Sequence, residues 1–239
     1  MRINKKMLVS CFFAVFIISA WAQQASKDIP WVPLFNGENF NGWEIKGSNG
    51  KAWVEDSAFV CNQVSNTPEH TFICTKKKYD DYIFEADAKI EGMLHTGFLL
   101  RCIDARSDSA NVALYGYQVK IDPTERRWTG GVFDDFGHSW NWFYTLKESE
   151  KARSAFKTNE WNHFRIEAIG DSIKVWVNDI PTCNLVNKKY QKGYIAIKIH
   201  SMGDNPELEK VLMRYRNIKI ITKNPKKYKM PMDYPVIEL

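Results

Sequence analysis

Short runs in which apolar and polar residues alternate recur along most of this chain, separated by residues typical of turns. In residues 115–122, YGYQVKID, the alternation places Tyr117 and Val119 on one face of an extended strand and Gln118 and Lys120 on the other. Similar runs occupy 82–91, 97–102, 164–169, 173–177 and 194–200. Many short strands with hairpin-length connections predict an all-β sandwich of two antiparallel sheets, and only residues 147–156 resemble a helix.

The polar faces of these predicted strands carry many charged and hydrogen-bonding groups. In chain order they are Glu85, Asp87, Arg101, Gln118, Lys120, Asp122, Lys198 and His200. If the strands share one curved sheet, these side chains line a cleft on its concave face. The alternative is that the charged groups form surface ion pairs worth little, such as Glu85 with Lys89, and that His200 is structural.

Residues 123–159 are predicted to form a long loop, and a loop of this length in a compact domain is usually functional or disordered. This segment is too rich in aromatic residues to be disordered. Its Trp128, His138 and Trp140 are candidate contacts for a sugar ring, although the aromatic rings have the alternative role of covering one end of the core. The proline- and lysine-rich tail from Thr222 is predicted to wrap the surface.

The first 22 residues resemble a secretory signal peptide, with a basic start, an apolar run and the small-x-small site Ala20-Trp21-Ala22. The sequence thus predicts a periplasmic or secreted domain over 23–239, without a stable membrane span. An alternative is a lipoprotein cleavage box ending at Cys11, but that cysteine lies near the start of the apolar run.

Charge and motifs exclude several functions. Without Arg2, Lys5 and Lys6, the formal net charge of +5 falls to about +2, which does not indicate nucleic-acid binding. The HExxH, CxxC, GxSxG and phosphate-loop patterns do not occur. The remaining cysteines, which are Cys61, Cys74, Cys102 and Cys183, are irregularly spaced, which favours buried thiols over disulfides. The sequence does not indicate an oligomeric state.

An ordered series of motifs resembles the 3-keto-disaccharide hydrolase family. The motifs are WVPLFNGENFNGW at 31–43, WVED, YIFEADAKIE, HTGFLLR, GYQVKID, RWTGGVFD, NEWNHFRI with VWVND, GYIAIKIHS and MRYRNIKI. The resemblance implies a concanavalin A-like jelly-roll sandwich and an exported protein. It also implies cleavage of glycosides whose sugar carries a ketone at carbon 3, by elimination and in some members by hydration of the resulting glycal.

The resemblance places Arg101, Gln118, Asp122, Lys198 and His200 in the cleft. In that reaction a base removes the proton on carbon 2, a cation stabilises the enolate, and carbon 1 loses its substituent. We expect His200 or Asp122 as the base, with Arg101 and Lys198 beside the enolate. This chain departs from the family at Lys120 and Lys198, where glutamine is common.

The remaining cleft residues have expected roles in binding. Gln118 is expected to anchor a hydroxyl, and Glu85 to contact substrate. Lys120 would bind substrate, or act as acid or base if its neighbours lower its pKa. A divalent metal ion is a further possibility, with Asp122, Glu85 and His200 as conceivable ligands.

Two rival functions use the same fold. The first is a lectin-like protein that binds carbohydrate without cleaving it. The second is a conventional glycosidase with Glu85 and Asp87 as its two carboxylates, which lie two residues apart on one face of a strand.

Overall fold

The computed structural model describes residues 29–104, 114–135 and 141–239. The chain divides into two units, Met1–Trp31 and Val32–Leu239. In the first unit the described residues are 29–31, where the amide of Trp31 donates to the carbonyl of Ile29 over 2.8 Å. The strands and helices that follow belong to the second unit.

The described part of the second unit is built almost entirely from strands. In chain order they are β1 (Val32–Pro33), β2 (Trp43–Gly47), β3 (Lys51–Glu55), β4 (Ala58–Asn62), β5 (Thr71–Thr75), β6 (Tyr82–Ile90), β7 (Thr96–Asp104), β8 (Leu114–Ile121), β9 (Val132–Asp134), β10 (Trp142–Tyr144), β11 (Asn162–Ile169), β12 (Ser172–Val177), β13 (Ile180–Val186), β14 (Tyr194–Ile199), β15 (Met213–Ile221) and β16 (Ile237–Glu238). The helical elements are α1 (Glu150–Arg153), α2 (Pro206–Glu209) and a 3-10 turn over Pro225–Tyr228.

Within the described residues these strands form two sheets. One has nine strands in the order β16-β13-β12-β11-β6-β15-β4-β3, with β1 paired to β15. The other has seven strands in the order β10-β9-β8-β7-β14-β5-β2. All pairings are antiparallel except β13 with β16. The predicted all-β sandwich is therefore confirmed.

The core lies between the sheets, and alternation along the strands fills it. Tyr82, Phe84, Ala86, Ala88 and Ile90 of β6 are all fully buried in one cluster that also contains residues of the seven-stranded sheet. That sheet contributes Phe98, whose ring centroid lies 5.2 to 5.6 Å from the rings of Phe84, Phe164 and Tyr215. Large aromatic side chains of this kind contribute several kcal/mol each when fully buried.

A β-bulge in β7 changes the direction of one predicted cleft residue. Leu100 pairs with Tyr117 but Ile103 pairs with Tyr115, so three residues of β7 oppose two of β8. At this bulge Arg101 has a φ of 52°, and Gly193 packs so closely that a Cβ there would lie 2.2 Å from the Arg101 carbonyl carbon. The bulge reverses the alternation after Leu100, so simple period-two reasoning fails at Arg101.

The loop prediction for 123–159 is partly wrong, because this segment contains β9 and β10, which extend the seven-stranded sheet, and the short helix α1. The predicted surface tail is confirmed, with β16 at the edge of the nine-stranded sheet. The four cysteines in the described residues are buried free thiols, as expected. Among the described residues no helix is long and apolar enough to cross a membrane.

Candidate functional site

A pocket of about 530 Å³ opens on the face of the seven-stranded sheet that is turned away from the core. Its volume lies in the usual range for small-molecule sites. The alternation that buries Val119 and Ile197 in the core places Gln118, Lys120 and Lys198 in this pocket. Gln118, Lys120, Lys198 and His200 therefore share one pocket, as the sequence predicted.

Three histidines converge at one end of the neighbouring strands. His70 precedes β5, His200 follows β14 and His95 precedes β7, and these three strands are antiparallel neighbours in the sheet. The ring centroid of His200 lies 5.0 Å from that of His70 and 6.5 Å from that of His95. Because antiparallel neighbours bring the start of one strand beside the end of the next, this convergence follows from the strand order. His70 and His95 are not among the site residues predicted from the sequence.

His200 is held in its neutral form by its surroundings. Burial and the positive charges of Lys120 and Lys198 lower the pKa of His200 well below its ordinary value. The Nε2 atom of His200 lies 3.3 Å from Nζ of Lys120. The neighbouring His70 ring accepts the backbone amide of Ser201 at Nδ1, over 2.8 Å, which fixes the position of that ring. A neutral imidazole with such neighbours is suited to accept a proton from a bound molecule.

Gly97 separates the two lysines of the pocket. In the register of the sheet Gly97 pairs with Lys120 on one side and with Lys198 on the other. A Cβ at position 97 would lie 2.8 Å from Nε2 of Gln118, so any larger residue would displace that amide. The absence of a side chain here leaves space between the two amines.

The two lysines differ in their partners. Lys198 is nearly fully buried, and its Nζ donates to both carboxylate oxygens of Asp135 over 2.8 and 2.6 Å. Burial lowers the pKa of Lys198, and Asp135 opposes that shift. Lys120 forms no ion pair with a carboxylate of the described residues. Burial and the charge of Lys198 lower the pKa of Lys120 to about 8. Sequence reasoning missed Asp135, which follows β9 in the predicted loop.

Gln118 presents an unused acceptor to the pocket. Its Nε2 donates to the carbonyl of Thr96 over 3.3 Å, which fixes the amide. Its Oε1 is buried and has no hydrogen-bond partner among the described residues. Because a buried acceptor without a partner is costly, this oxygen favours a ligand that carries a hydrogen-bond donor, such as a hydroxyl.

Aromatic and apolar side chains form another part of the pocket wall, in particular Phe133 and Trp142. Trp128 packs behind Trp142, with ring centroids 5.0 Å apart, and does not line the pocket. The prediction of Trp128 as a substrate contact is therefore wrong, and Trp142 occupies that position. The predicted contacts His138 and Trp140 lie outside the described residues.

Asp122 lies behind the pocket wall. Its carboxylate is fully buried, 3.1 Å from the guanidinium of Arg126 and 3.3 Å from Nδ1 of His95, and it accepts the hydroxyl of Thr124 over 2.5 Å. Arg126 and His95 line the pocket, whereas Asp122 does not. The structure therefore places Asp122 where it positions two pocket residues, and His200 is the better placed of the two predicted bases.

Arg101 does not lie in the pocket, which corrects its predicted placement. Its guanidinium is fully buried and donates to the carbonyls of Asp80, Gly170 and Tyr190 over 2.8 to 3.1 Å. It also lies 3.4 Å from the carboxylate of Asp81. These contacts join three chain segments, so Arg101 has a structural role.

Glu85 and Asp87 belong to β6 in the nine-stranded sheet, on the face turned away from the core. Glu85 pairs with Arg165 over 2.7 Å and Lys219 over 3.0 Å, and Asp87 with His163 over 3.0 Å. Their predicted place in the cleft is wrong, because the sequence does not show which strands share a sheet. The two-carboxylate site built on them has no support.

The conceivable metal ligands are not brought together either. Glu85 lies on the opposite sheet from His200, and Asp122 is occupied by Arg126 and Thr124. In the described parts of the chain no group of three or more His, Cys, Asp and Glu side chains is placed to hold a metal ion. The residues present therefore do not fit the metal site considered from the sequence.

Comparison with known proteins shows the family of the chain and several structures of similar fold. Residues 30–221 match the family of 3-keto-alpha-glucoside-1,2-lyase-like domains. No curated protein sequence matches the chain. Similar solved structures include a putative glycosyl hydrolase from Parabacteroides distasonis, with 17% identity and a TM-score of 0.57 over 81% of this chain and 94% of that one.

Two further structures share the fold. The carbohydrate-binding module CBM66 from Bacillus subtilis is 14% identical, with a TM-score of 0.54 over 74% of this chain and 93% of that one. A Bacillus subtilis protein of unknown function with a galectin-like fold is 10% identical, with a TM-score of 0.54 over 80% of this chain and 94% of that one. At these identities the likeness shows the fold alone, which is of the galectin and concanavalin type.

Proposed function

Because the chain belongs to the 3-keto-alpha-glucoside-1,2-lyase-like family, we propose that it is an exported enzyme that cleaves 3-keto-glycosides by removing the proton on carbon 2 and eliminating the substituent on carbon 1. The observation that carries the proposal is the neutral His200 imidazole beside two amines in a pocket of suitable size. The ketone acidifies the neighbouring hydrogen, so a base of modest strength suffices.

Each step of the elimination has a group in the pocket. His200 removes the proton on carbon 2, and the positive charge of Lys198 stabilises the enolate that forms. The enolate then expels the oxygen on carbon 1, which takes up a proton, and the protonated imidazole is an acid that can supply it. Gln118 Oε1 accepts a sugar hydroxyl, and Phe133 and Trp142 offer apolar faces to the ring. The product is an unsaturated 3-keto sugar, to which the same enzyme can add water.

Binding without cleavage is the second candidate, favoured by the fold shared with a carbohydrate-binding module and by the aromatic wall of the pocket. The two functions differ in what they require from His200. A binding protein needs hydroxyl acceptors and aromatic faces, whereas only an enzyme needs a neutral base.

The test is incubation of the protein, from Gln23 onwards, with a 3-keto-glucoside and with the same glucoside unoxidised. We expect an ultraviolet-absorbing enone, or its hydrate by mass, from the oxidised substrate alone, with the same rate after chelator treatment. Binding of the 3-keto-glucoside without turnover would support the carbohydrate-binding function. Cleavage of the unoxidised glucoside would contradict both candidates. Mass analysis of protein from the periplasm tests export, for which a start at Gln23 is expected.

A further inference from the structure

Lys120 has an unusual environment for a lysine. It lies on β8 with its side chain in the pocket, and only 7% of the residue is exposed. Its Nζ lies 3.3 Å from Nε2 of His200 and 5.8 Å from the centroid of the Phe133 ring. Neither neighbour carries a charge, since the Phe133 ring is apolar and the His200 imidazole is held neutral. The amine is therefore buried, faces the space where a ligand binds, and contacts no carboxylate of the described residues.

Lys198, across Gly97 in the same pocket, provides a direct contrast. Both oxygens of Asp135 hold the Lys198 amine as an ammonium ion, whose nitrogen has no free lone pair. Lys120 has no such ion pair among the described residues, and burial with the Lys198 charge lowers its pKa to about 8 although the charges of Asp135 and Asp122 oppose the shift, so part of the amine is neutral near pH 7. A neutral lysine amine in a desolvated pocket is a nucleophile, and its characteristic partner is a carbonyl carbon.

We propose that Lys120 is a covalent catalytic residue, whose amine forms an iminium ion with the keto carbon of the substrate. This inference rests on the proposed function, because it requires a 3-keto sugar in the pocket. An enamine then takes the place of the enolate, and the two lysines have separate tasks, since the Lys198 charge lowers the pKa of the Lys120 amine and Lys120 supplies the nucleophile.

The chemistry balances without a further reagent. The Nζ lone pair attacks carbon 3, and the carbinolamine takes up one proton from solvent and loses one water to give the iminium. His200 takes the proton from carbon 2, which adjoins the iminium carbon, and the C–H electrons form an enamine. The enamine expels the oxygen on carbon 1, which leaves with a proton as the free alcohol. Water then adds to the unsaturated iminium and releases the enone, the free Lys120 amine and the borrowed proton, so the water consumed here balances the water lost first.

The position of His200 supports this order of events. An imidazole nitrogen 3.3 Å from Nζ remains within reach of atoms up to three bonds beyond Nζ once the iminium forms. The hydrogen on carbon 2 is among those atoms. An iminium withdraws electrons more strongly than the parent ketone, which suits the weak basicity that burial imposes on His200.

The experiment traps the covalent adduct independently of cleavage. The probe is the 3-keto derivative of 1,5-anhydroglucitol, which has the ketone but no leaving group on carbon 1. Incubation with cyanoborohydride reduces an iminium to a stable secondary amine, and peptide mapping locates it. We expect labelling on the peptide that contains Lys120 and at least tenfold less on the peptide that contains Lys198, which serves as the internal control.

Two variants complete the test. Lys120→Arg keeps the positive charge but cannot form the adduct, and Lys120→Gln removes the charge; each should lose the label at this site. In deuterated water the wild type should exchange the hydrogen on carbon 2 of the probe at least tenfold faster than Lys120→Arg. Only variants with the melting temperature of the wild type are compared, so that loss of folding does not explain a loss of label or exchange.

The outcomes separate this inference from the proposed function. Labelled Lys120 in a protein that does not cleave 3-keto-glucosides would support the adduct and contradict the lyase activity. Cleavage by the wild type with no label at Lys120, or cleavage by Lys120→Arg at the wild-type rate, would overturn the covalent role of Lys120.

Discussion

Lys198, near the end of β14, and Asp135, directly after β9, form a two-oxygen ion pair that is almost completely shielded from solvent. Removal of one partner leaves the other charge buried without a counter-ion. We therefore expect Asp135→Asn and Lys198→Met each to lower the free energy of unfolding by about 3 to 5 kcal/mol. The double variant should recover most of that loss, since neither charge is then buried alone. Urea unfolding measures the cycle, and additive losses in the double variant would show that the two side chains do not act as a pair.

Removal of the imidazole of His200 should affect the reaction and not the fold. We expect His200→Ala to lower turnover of a 3-keto-glucoside by about two to four orders of magnitude, because general-base catalysis contributes an effect of that size. His163→Ala is the matched control, since this histidine lies on the other sheet and should leave turnover unchanged. Deuterium on carbon 2 should slow the wild type if proton removal limits the rate. Full turnover by a folded His200→Ala protein would place the base elsewhere.

The charges around His200 determine where its imidazole titrates. Lys120, Lys198, His70 and His95 face this ring, and burial together with the lysine charges holds its pKa well below 6.5. The base form therefore persists at neutral pH and is lost as pH falls through that low value. We expect the pH profile of kcat/KM to show no break near pH 6.5 from His200, because the base form of this ring is lost only at lower pH.

Nuclear magnetic resonance of histidine-labelled protein measures this titration directly. In Lys120→Gln one positive neighbour is removed, so the pKa of His200 should rise towards its ordinary value. An unchanged titration of His200 in that variant would show that Lys120 does not influence the ring.

Period-two alternation was sufficient to identify six strands, which are β6, β7, β8, β11, β12 and β14, and a part of the core and of the site. It assigned Gln118 and Lys120 to one face and Val119 to the core, and both assignments are confirmed. Alternation is a local property of an extended chain, so it holds wherever the strand is regular. It fails at Arg101 because a bulge adds a residue there, and bulges leave little trace in one sequence.

The partners of each strand could not be predicted in the same way. The polar face of β6 resembles that of β8, yet β6 lies in the other sheet, so Glu85 was wrongly placed in the cleft. Conversely, His70, His95 and His200 are far apart in sequence and meet only because β5, β14 and β7 are neighbours. The family resemblance located site residues that lie within matched motifs. Asp135 lies in a segment that was interpreted as loop, and its place in the site could be predicted only from the strand order.

Arg101 should matter for stability, contrary to its predicted part in catalysis. Its guanidinium donates to three backbone carbonyls in a fully buried position. We expect Arg101→Met to lower the free energy of unfolding by about 3 to 5 kcal/mol, because these acceptors would lose their donor without gaining water. Arg153→Met is the control, since that arginine forms a partly exposed pair with Glu150 and should cost less than about 1 kcal/mol. The folded fraction of Arg101→Met should keep the wild-type KM. A raised KM would show that Arg101 contributes to substrate binding.

The polar face of the nine-stranded sheet should make stability depend on pH in the alkaline range. The hydrogen bond with Asp87 and the nearby carboxylate of Glu85, 3.8 Å away, raise the pKa of His163 to about 9, and Lys219, Arg165 and Arg216 lie around the same carboxylates. Since the pKa is raised on folding, the charged imidazole stabilises the fold fully below its unfolded value of about 6.5, and the contribution disappears as pH rises through 9.

A neutral replacement isolates that contribution. Because the His163 side chain is 39% exposed, solvent screening limits the effect, and we expect His163→Gln to lower the free energy of unfolding by about 1 kcal/mol at pH 6. The difference from the wild type should shrink between pH 6.5 and 9 and vanish above that range, where both side chains are neutral. Urea unfolding at several pH values measures it, and molar salt should reduce it through screening. A difference that is the same at pH 6 and pH 10 would mean that His163 acts through packing and hydrogen bonds and not through its charge.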